Sequence, residues 1–494
     1  MFFYNMNFSC NKYLSYKWFN DLICKSNLAE SSKIRGCLIF QPYGLEIWNK
    51  IKNKLNYLLK KTGHENYYFP LLISITDLNK EYNHIKGFSK ECAIVTHRRL
   101  NIKNKKILLD RNSKLKNELI IRPTSEAIIW NSLKKWINSY RDLPRLLNQW
   151  SNIIRWEMRP RFLLRNSEFI LQEGHTVHSS KQEALSHSIK ILNLYKYFIE
   201  KILSIPVIKG KKTPKEKFAG ANTTYCLESV LLDGKALQIA TSHFLGQNFS
   251  KSFDVKYFNK NGIYERPWGT SYGISTRLIG ALVFTHSDKY GLILPPKIAP
   301  IQVVIISIIK KIEDNKILEK LVKKILVCLK KKKIRFFYDN RKRYNPGWKF
   351  NEYDIKGVPL RITIGKNEIQ KGLIEIFRRD NRKRKHIKIR NIKNKITYFL
   401  KNIQKNIFLK ALFLKNKFTK TIDDYKKFKQ IFNSNGGLIY SHWDGRKESE
   451  NKIKEDTSAS IICIPSKSKT KSNFGHCIYS NNLSKQRVIF AKCY

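Results

Sequence analysis

The chain has 494 residues, 42% of them hydrophobic, enough for two or three separately cored domains, which excludes a small single module. Its 95 Lys and Arg against 38 Asp and Glu give a formal charge of +57, which would concentrate a polyanion such as RNA at the surface. Lys, Asn and Ile are abundant everywhere, however, so charge alone carries little diagnostic weight.

The opening residues MFFYNMNFSCNKY lack a basic stretch followed by a sustained apolar one, so no export signal is expected. The longest apolar run, around Val303 to Ile309, is far shorter than the ~20 residues of a membrane helix. Nine cysteines are scattered without a C-x-x-C pair, as suits reduced thiols. A cytoplasmic protein with no membrane partner is expected.

From about Tyr13 to Leu294, helical stretches mix with strand-like runs such as Gly36 to Phe40 and Tyr67 to Ile73, which reads as one large α/β unit. Within it, IIRPTSEAIIW (Ile120 to Trp130) places Thr124 and Glu126 two apart. On an extended backbone both side chains would face one pocket, where a hydroxyl and a carboxylate could hold an ammonium group. The competing reading makes Thr124 or Ser125 the cap of a helix beginning at Glu126.

In Asn148 to Thr176 two apolar runs flank a basic loop that crowds Arg155, Glu157, Arg159, Arg161 and Arg165 into a short hairpin. Arg155 stands among Ile153, Ile154 and Trp156, where an unpaired guanidinium would be costly to bury, so it is expected to meet an anion. Further on, Ala236 to Phe249 gathers Gln238, Thr241 and His243, and GTSYGISTRLIGALV sets Arg277 at the start of an apolar helix.

Three prolines in LPPKIAP (Leu294 to Pro300) mark a junction. The strand VVIISI, a helical repeat of Ile317, Leu318, Leu321, Val322, Ile325 and Leu329, and the strands IRFFYD and LRITIG then follow. That β-α-β-β order predicts a compact α/β domain with a mixed sheet. From about Ile392 a Lys-rich helical stretch leads to the strand-like RVIFAKCY.

In this order the segments resemble the class II aminoacyl-tRNA synthetases, most closely the prolyl-tRNA synthetases of archaeal and eukaryotic type. GHENYYFP, ECAIVTHRRL, RPTSEAIIW, YRDLPRLLNQW, TSHFLGQNF, LPPKIAPIQVV and PGWKFNEYDIKGVPLR each look like blocks of that family. The resemblance implies an α/β (α+β) fold in three parts. These are a catalytic domain on an antiparallel sheet (13–294), an α/β anticodon-binding domain (297–391) and a small C-terminal α+β domain (392–494). It also implies ligation of L-proline to tRNA(Pro) through a prolyl-adenylate, with ATP as substrate and Mg²⁺ beside it, in a homodimer whose first motif ends at Pro42.

Carried over residue by residue, the family's pattern gives Arg155 the α-phosphate and the proline carboxylate. Glu157 falls on the adenine side, with Arg165 and Asn166 on the nucleotide. Phe169 and Arg277 would sandwich the adenine, with Gln238, Thr241 and Ser275 around it and Gln238 a weak Mg²⁺ ligand. Thr124 and Glu126 match the proline-binding Thr-x-Glu, with Glu173, His175 and His243 in the same pocket. Lys349, Glu352, Arg378 and Arg379 are the implied anticodon contacts.

Three departures from the pattern stand out. Leu171 replaces a Trp common in the family, which gives the pocket a smaller wall, and Asn166 replaces a small polar residue. The positions of four zinc-binding cysteines read Asp444, Ser449, Cys477 and Ser480, so no zinc is expected. Only a short segment separates His175 from Gln238, so no editing insertion is expected. The alternatives are another class II synthetase or a non-catalytic tRNA-binding relative; retention of Arg155, Glu157, Gln238, His243 and Arg277 argues against the second.

Overall fold

The computed structural model describes residues 16–79, 91–308, 315–434, 436–466 and 474–494. The opening residues, and with them the export-signal reading and the expected start of the first unit at Tyr13, lie outside the described residues.

Pro42 occupies the first turn of helix α1 (Pro42–Lys60), where its missing N–H is no loss. Ile47, Trp48, Ile51, Leu55 and Leu59 recur at three- or four-residue spacing and bury one face of that helix. It leads into a two-residue strand, β1 (Glu65–Asn66). Helix α2 (Glu126–Trp136), strands β2 (Arg145–Ile154) and β3 (Glu168–His178), and helix α3 (Lys181–Lys201) follow. Strands β4 (Ile208–Lys211), β5 (Thr223–Val230), β6 (Ala236–Gly246) and β7 (Trp268–Ser275) then lead to helix α4 (Arg277–His286). Every α4 residue after Arg277 is buried, as an all-apolar helix must be.

Strands β4-β5-β6-β7-β3-β2 lie side by side and antiparallel, as expected, and β1 adds a parallel edge to β2. Because side chains alternate along a strand, the sheet has two unlike faces. On one, Tyr272, Ile274, Leu237 and Ile239 pack with α1, α3 and α4 in the largest apolar cluster. On the other, Leu147, Val177 and Leu245 pack with Ala127, Ile129, Trp130 and Leu133 of α2, covering only one end and leaving the rest open. Gly174 has no room for a side chain, because a Cβ there would fall inside the Tyr272 ring.

After the proline-rich junction, β8 (Val303–Ile308), α5 (Asn315–Lys331), β9 (Phe336–Asp339), α6 (Pro346–Ile355), β10 (Leu360–Gly365), β11 (Leu373–Arg378) and β12 (Arg384–Lys388) form the second unit. Its sheet order is β9-β8-β10-β11-β12, parallel at β8 and antiparallel from β10 onward, the mixed sheet that the pattern predicts. Helix α7 (Ile392–Phe418) begins in this unit: Ile392, Ile396, Phe399, Leu400, Ile403 and Ile407 join its core.

Four later strands, β13 (Thr419–Thr421), β14 (Leu438–His442), β15 (Ser460–Pro465) and β16 (Arg487–Ala491), do not make a sheet of their own. They extend the catalytic sheet through β15, whose Ile464 and Pro465 pair with Lys211 and Gly210 of β4, giving eleven strands in all. Sequence patterning alone presents this region as a separate small domain. In the fold it is the far wing of the first sheet.

Candidate active site

The open face of the sheet carries its functional side chains in rows fixed by register. Ile153 lies opposite Phe169, Ser151 opposite Leu171 and Leu171 opposite Ser275. Gln149, Glu173, Gly273 and Thr241 form the next row across four strands, and Leu147, His175, Ser271 and His243 the one after. Gly273 leaves the middle of this floor flat, since a Cβ there would press on the Gln172 carbonyl oxygen at 3.2 Å.

At the floor's covered end the TSE segment closes a carboxylate pocket. Helix α2 does begin at Glu126, but neither sequence reading of that segment is right in full. Ser125 holds the cap position without making a cap bond, and the backbone is not extended. Instead Ser125 Oγ donates to Glu173 Oε1 at 2.6 Å and Thr124 Oγ1 donates to Glu126 Oε2. Glu173 Oε1 also accepts from Gln149 Nε2 at 2.6 Å and Ser151 Oγ at 3.1 Å, so this buried carboxylate is held by its neighbours.

His175 Nε2 lies 3.4 Å from Glu126 Oε1. Burial alone would raise the Glu126 pKa, but the His175 and Thr124 partners outweigh it and hold the group at about 2. Burial pulls His175 down while Glu126 pulls it up, and the net shift is upward from 6.5. His243 sits across the floor with its Nδ1 3.0 Å from Thr224 Oγ1, and burial lowers it to about 4, so it is neutral at physiological pH.

At the other end lies a cleft of about 350 Å³ including its mouth, lined by Arg155, Glu157, Arg165, Asn166, Phe169, Ser275 and Arg277 among others. Arg155 Nε donates to the Pro123 carbonyl at 3.0 Å, and its guanidinium stands 5.6 Å from the Phe169 ring centre. Arg277, first residue of α4, donates to Leu164 O at 2.7 Å and Gln238 O at 3.2 Å. Burial and then repulsion from Arg155 lower its pKa to about 10, so it remains charged at neutral pH. Glu157 and Arg165 pair across the loop at 2.7 Å. Among the described residues the buried Asn166 Oδ1 and Thr276 Oγ1 have no hydrogen-bond partner, which leaves two polar atoms in the cleft wall for a ligand.

Fourteen of the sequence candidates thus share one floor or its rim: Thr124, Glu126, Arg155, Glu157, Arg165, Asn166, Phe169, Glu173, His175, Gln238, Thr241, His243, Ser275 and Arg277. The expected anticodon contacts fare differently. Lys349 is buried and reaches Asp339, at 3.2 Å to its carbonyl and 3.4 Å to its carboxylate. Arg379, only 1% exposed, forks onto Asp288 of the first unit at 2.8 and 2.5 Å. Both cations are drawn into ties within the fold, Lys349 to buried Asp339 and Arg379 to part-exposed Asp288. Arg378 pairs with Asp380, and Glu352 with Arg341 and Lys356, both part-exposed.

Pro42, the expected end of the first motif, lies in the first turn of α1, and the short strand β1 after that helix pairs with the edge of β2. The four positions aligned with zinc ligands do come together. Asp444 Oδ2 accepts from Ser449 Oγ at 2.8 Å and Ser480 Oγ at 2.7 Å, and Cys477 is buried in the adjoining core.

Sequence reasoning missed Ser125, Gln149 and Ser151 as supports of Glu173, because only strand register brings them together. It also missed Tyr494. Arg161 of the basic loop stacks on the Tyr494 ring at 5.2 Å, and the Tyr494 hydroxyl donates to Asp233. A terminal tyrosine carries no local signal for that contact.

Residues 107–286 match the family described as tRNA synthetase class II core domain (G, H, P, S and T), 302–398 the anticodon binding domain, and 425–494 the prolyl-tRNA synthetase C-terminal family. The proline–tRNA ligase of Azobacteroides pseudotrichonymphae is 50% identical over 484 residues, covering 97% of each chain. That of Cytophaga hutchinsonii is 49% identical over 479 residues, with the same coverage. A crystal structure of prolyl-tRNA synthetase from Cryptosporidium parvum, complexed with L-proline and AMP, superposes with a TM-score of 0.89 at 36% identity, covering 97% of this chain and 95% of that one. The same enzyme with halofuginone and AMPPNP gives a TM-score of 0.91, covering 98% and 96%.

Proposed function

This chain belongs to the prolyl-tRNA synthetases, and from that premise we propose which of its residues carry the family's reaction. It joins L-proline to tRNA with ATP as the activating substrate. One observation supports the residue assignment above the others: two charged guanidiniums, Arg155 and Arg277, share a cleft that opens along the same sheet floor as the Glu126 carboxylate.

In this reading the secondary ammonium of proline enters between Thr124 and Glu126, with His175 and His243 as walls and Glu173 holding the segment from behind. Its carboxylate then points along the floor to Arg155. The adenine of ATP lies between Phe169 and Arg277, and Glu157, Arg165, Asn166, Gln238, Thr241 and Ser275 make polar contacts around the nucleotide. A proline carboxylate oxygen attacks the α-phosphorus and pyrophosphate leaves. Negative charge growing on the phosphate oxygens meets Arg155 and Arg277 already in place, so the protein contributes position and electrostatic stabilisation without a side-chain nucleophile. In the second step a terminal ribose hydroxyl of the tRNA attacks the prolyl carbonyl and AMP leaves.

Among the described residues no three His, Cys, Asp or Glu side chains form a metal cage, and Glu228, in register with Gln238, is taken by Lys212 at 2.7 Å. That donor set fits Mg²⁺ carried in on the ATP phosphates, with Gln238 as at most a light ligand. The ion would screen the leaving pyrophosphate.

The proposal extends to the chain's type and assembly. Between His178 and Ala236 the described chain forms one long helix and two strands, which supports the archaeal and eukaryotic type without an editing insertion, although the curated relatives named above are bacterial. Exposed Tyr68, Leu71 and Leu72 beside the short edge strand β1 support a homodimer closing that end of the sheet. The division into units 13–294, 297–391 and 392–494 remains part of the proposal, with the core of the second taking in α7 as far as Ile407. Among the described residues no helix is long and apolar enough to cross a membrane. A cytoplasmic location is part of the proposal.

Pyrophosphate exchange with each amino acid in turn tests the function. Proline-dependent exchange is expected; dependence on another amino acid would mean a different class II specificity, and none a non-catalytic tRNA-binding protein. The C-terminal wing is proposed to hold its turn through Asp444, Ser449 and Ser480 without zinc. Metal analysis of purified protein should therefore find no stoichiometric zinc, and one zinc per chain would overturn that part.

A further inference from the structure

The connection from β4 to β5 carries Phe218, whose ring packs on the apolar cluster around α2 and stands 4.7 Å from the His243 ring at a tilt of 37°. The Thr224 hydroxyl fixes that contact, accepting from the Phe218 backbone N–H at 2.9 Å and lying 3.0 Å from His243 Nδ1. His243 shares its row of the floor with His175, so Phe218 backs one wall of the carboxylate pocket.

Three ties from the C-terminal wing hold the first half of that connection. Lys212 Nζ donates to the Ile462 carbonyl of β15 at 2.8 Å. Helix α8 (Lys447–Thr457) supplies the other two, Glu450 Oε1 accepting from Thr213 Oγ1 at 3.3 Å and Asn451 Oδ1 from Lys215 Nζ at 2.5 Å. Thr213 is 0% exposed and Glu450 3%, so water does not compete for their bond. From Thr213 the chain turns back on itself, the Glu216 N–H donating to the Thr213 hydroxyl at 3.3 Å and the Lys217 N–H to its carbonyl at 3.0 Å. Phe218 follows directly. Lys215, Glu216 and Lys217 are exposed, and a polar surface turn of this kind costs conformational entropy to hold in one shape. A pocket wall must nevertheless be held closely, because small misplacements weaken binding and reaction geometry.

We propose that Glu450 of the C-terminal wing is a positioning residue for amino-acid binding: through Thr213 it fixes the turn that sets Phe218 against His243. The proposal rests on the reading of that pocket as the proline site. Glu450 acts through the turn and not on the substrate. The arginine cleft lies at the other end of the floor, so loss of the tie should be felt by proline and not by ATP.

The test compares full-length Glu450→Ala, Glu450→Gln, Thr213→Val and Phe218→Ala with wild type in proline-dependent pyrophosphate exchange. Phe218→Ala should raise the KM for proline about ten-fold and Glu450→Ala roughly five-fold, with kcat and the KM for ATP little changed. Glu450→Gln keeps an acceptor for Thr213 and should restore the wild-type KM. Adding Glu450→Ala to Phe218→Ala should change little further, since the tie acts through that ring. Thr213→Val removes the same bond without opening a cavity, and it decides the matter if Glu450→Ala does not fold. A proline KM within about two-fold of wild type in the folded variants that lack the bond, or an equal rise in the KM for ATP, would overturn the proposal. Hydrogen–deuterium exchange of the 212–222 amides, which needs no substrate, should quicken in Glu450→Ala and Thr213→Val. Absence of proline-dependent pyrophosphate exchange in the wild type would instead sink the proline reading, and the amide measurement would still decide the tie.

Discussion

The carboxylate pocket and the arginine cleft lie on one sheet floor, yet their electrostatic states are opposite. In the pocket Glu126 faces His175 and Thr124, and Glu173 accepts from three neutral donors, so each carboxylate has partners within the fold. In the cleft Arg277 bonds to the Leu164 and Gln238 carbonyls and is repelled by Arg155, while Arg155 donates to the Pro123 carbonyl and feels Glu126, Glu173 and Glu157. In the proposed reading the pocket takes the proline ammonium and the cleft the anionic nucleotide. A preformed excess of positive charge is what a reaction that builds negative charge on phosphate oxygens requires.

The sharpest way to break this contrast is to discharge the cleft. Arg155→Ala should lower kcat for proline-dependent pyrophosphate exchange on the order of a thousand-fold, as loss of a prearranged oxyanion partner does elsewhere. Retained turnover would mean that the two arginines serve the fold alone. Altering the pocket should act on binding instead. Glu126→Gln should raise the KM for proline roughly a hundred-fold with the KM for ATP little changed, since a buried ammonium would lose its counter-charge. An equal rise in both constants would show that the two regions are not separable.

The smallest effect is a pH dependence. Protonated His175 competes with the proline ammonium for Glu126, and its pKa lies above the ordinary 6.5. As pH rises through that raised value the proton leaves, Glu126 is freed, and the KM for proline should fall, by at most about ten-fold per pH unit. The same rise removes the stability that the charged pair contributes, which is fully present below 6.5. His175→Gln should flatten the KM profile, and an unchanged slope would assign it to another group.

Much of the chemistry was legible in the sequence because it is local. Arg155 among apolar neighbours needed an anion, an apolar helix had to be buried with Arg277 at its start, and the β-α-β-β order fixed the second unit. What was not legible depends on distant partners. That Lys349 would turn to Asp339 and Arg379 to Asp288 is a matter of which acid lies beneath each, and a basic residue on a helix or strand looks the same from its neighbours in either case. The rows of the floor need strand register, which alternation alone leaves free by steps of two. Each reading of the TSE segment fits only in part, because its hydroxyls found side-chain carboxylates in place of backbone donors.

The joining of β15 to β4 has a consequence for how the molecule is made. Once a ribosome has released residues up to 286, every strand around the cleft exists, but β4 still presents a bare row of backbone donors and acceptors, a template for aggregation. Gly210 and Lys211 find their partners only when Pro465 and Ile464 of β15 emerge, well after that point. That late wing is an edge guard for the nascent enzyme, so a chain cut short before it should be lost to precipitation rather than persist as a soluble catalytic fragment.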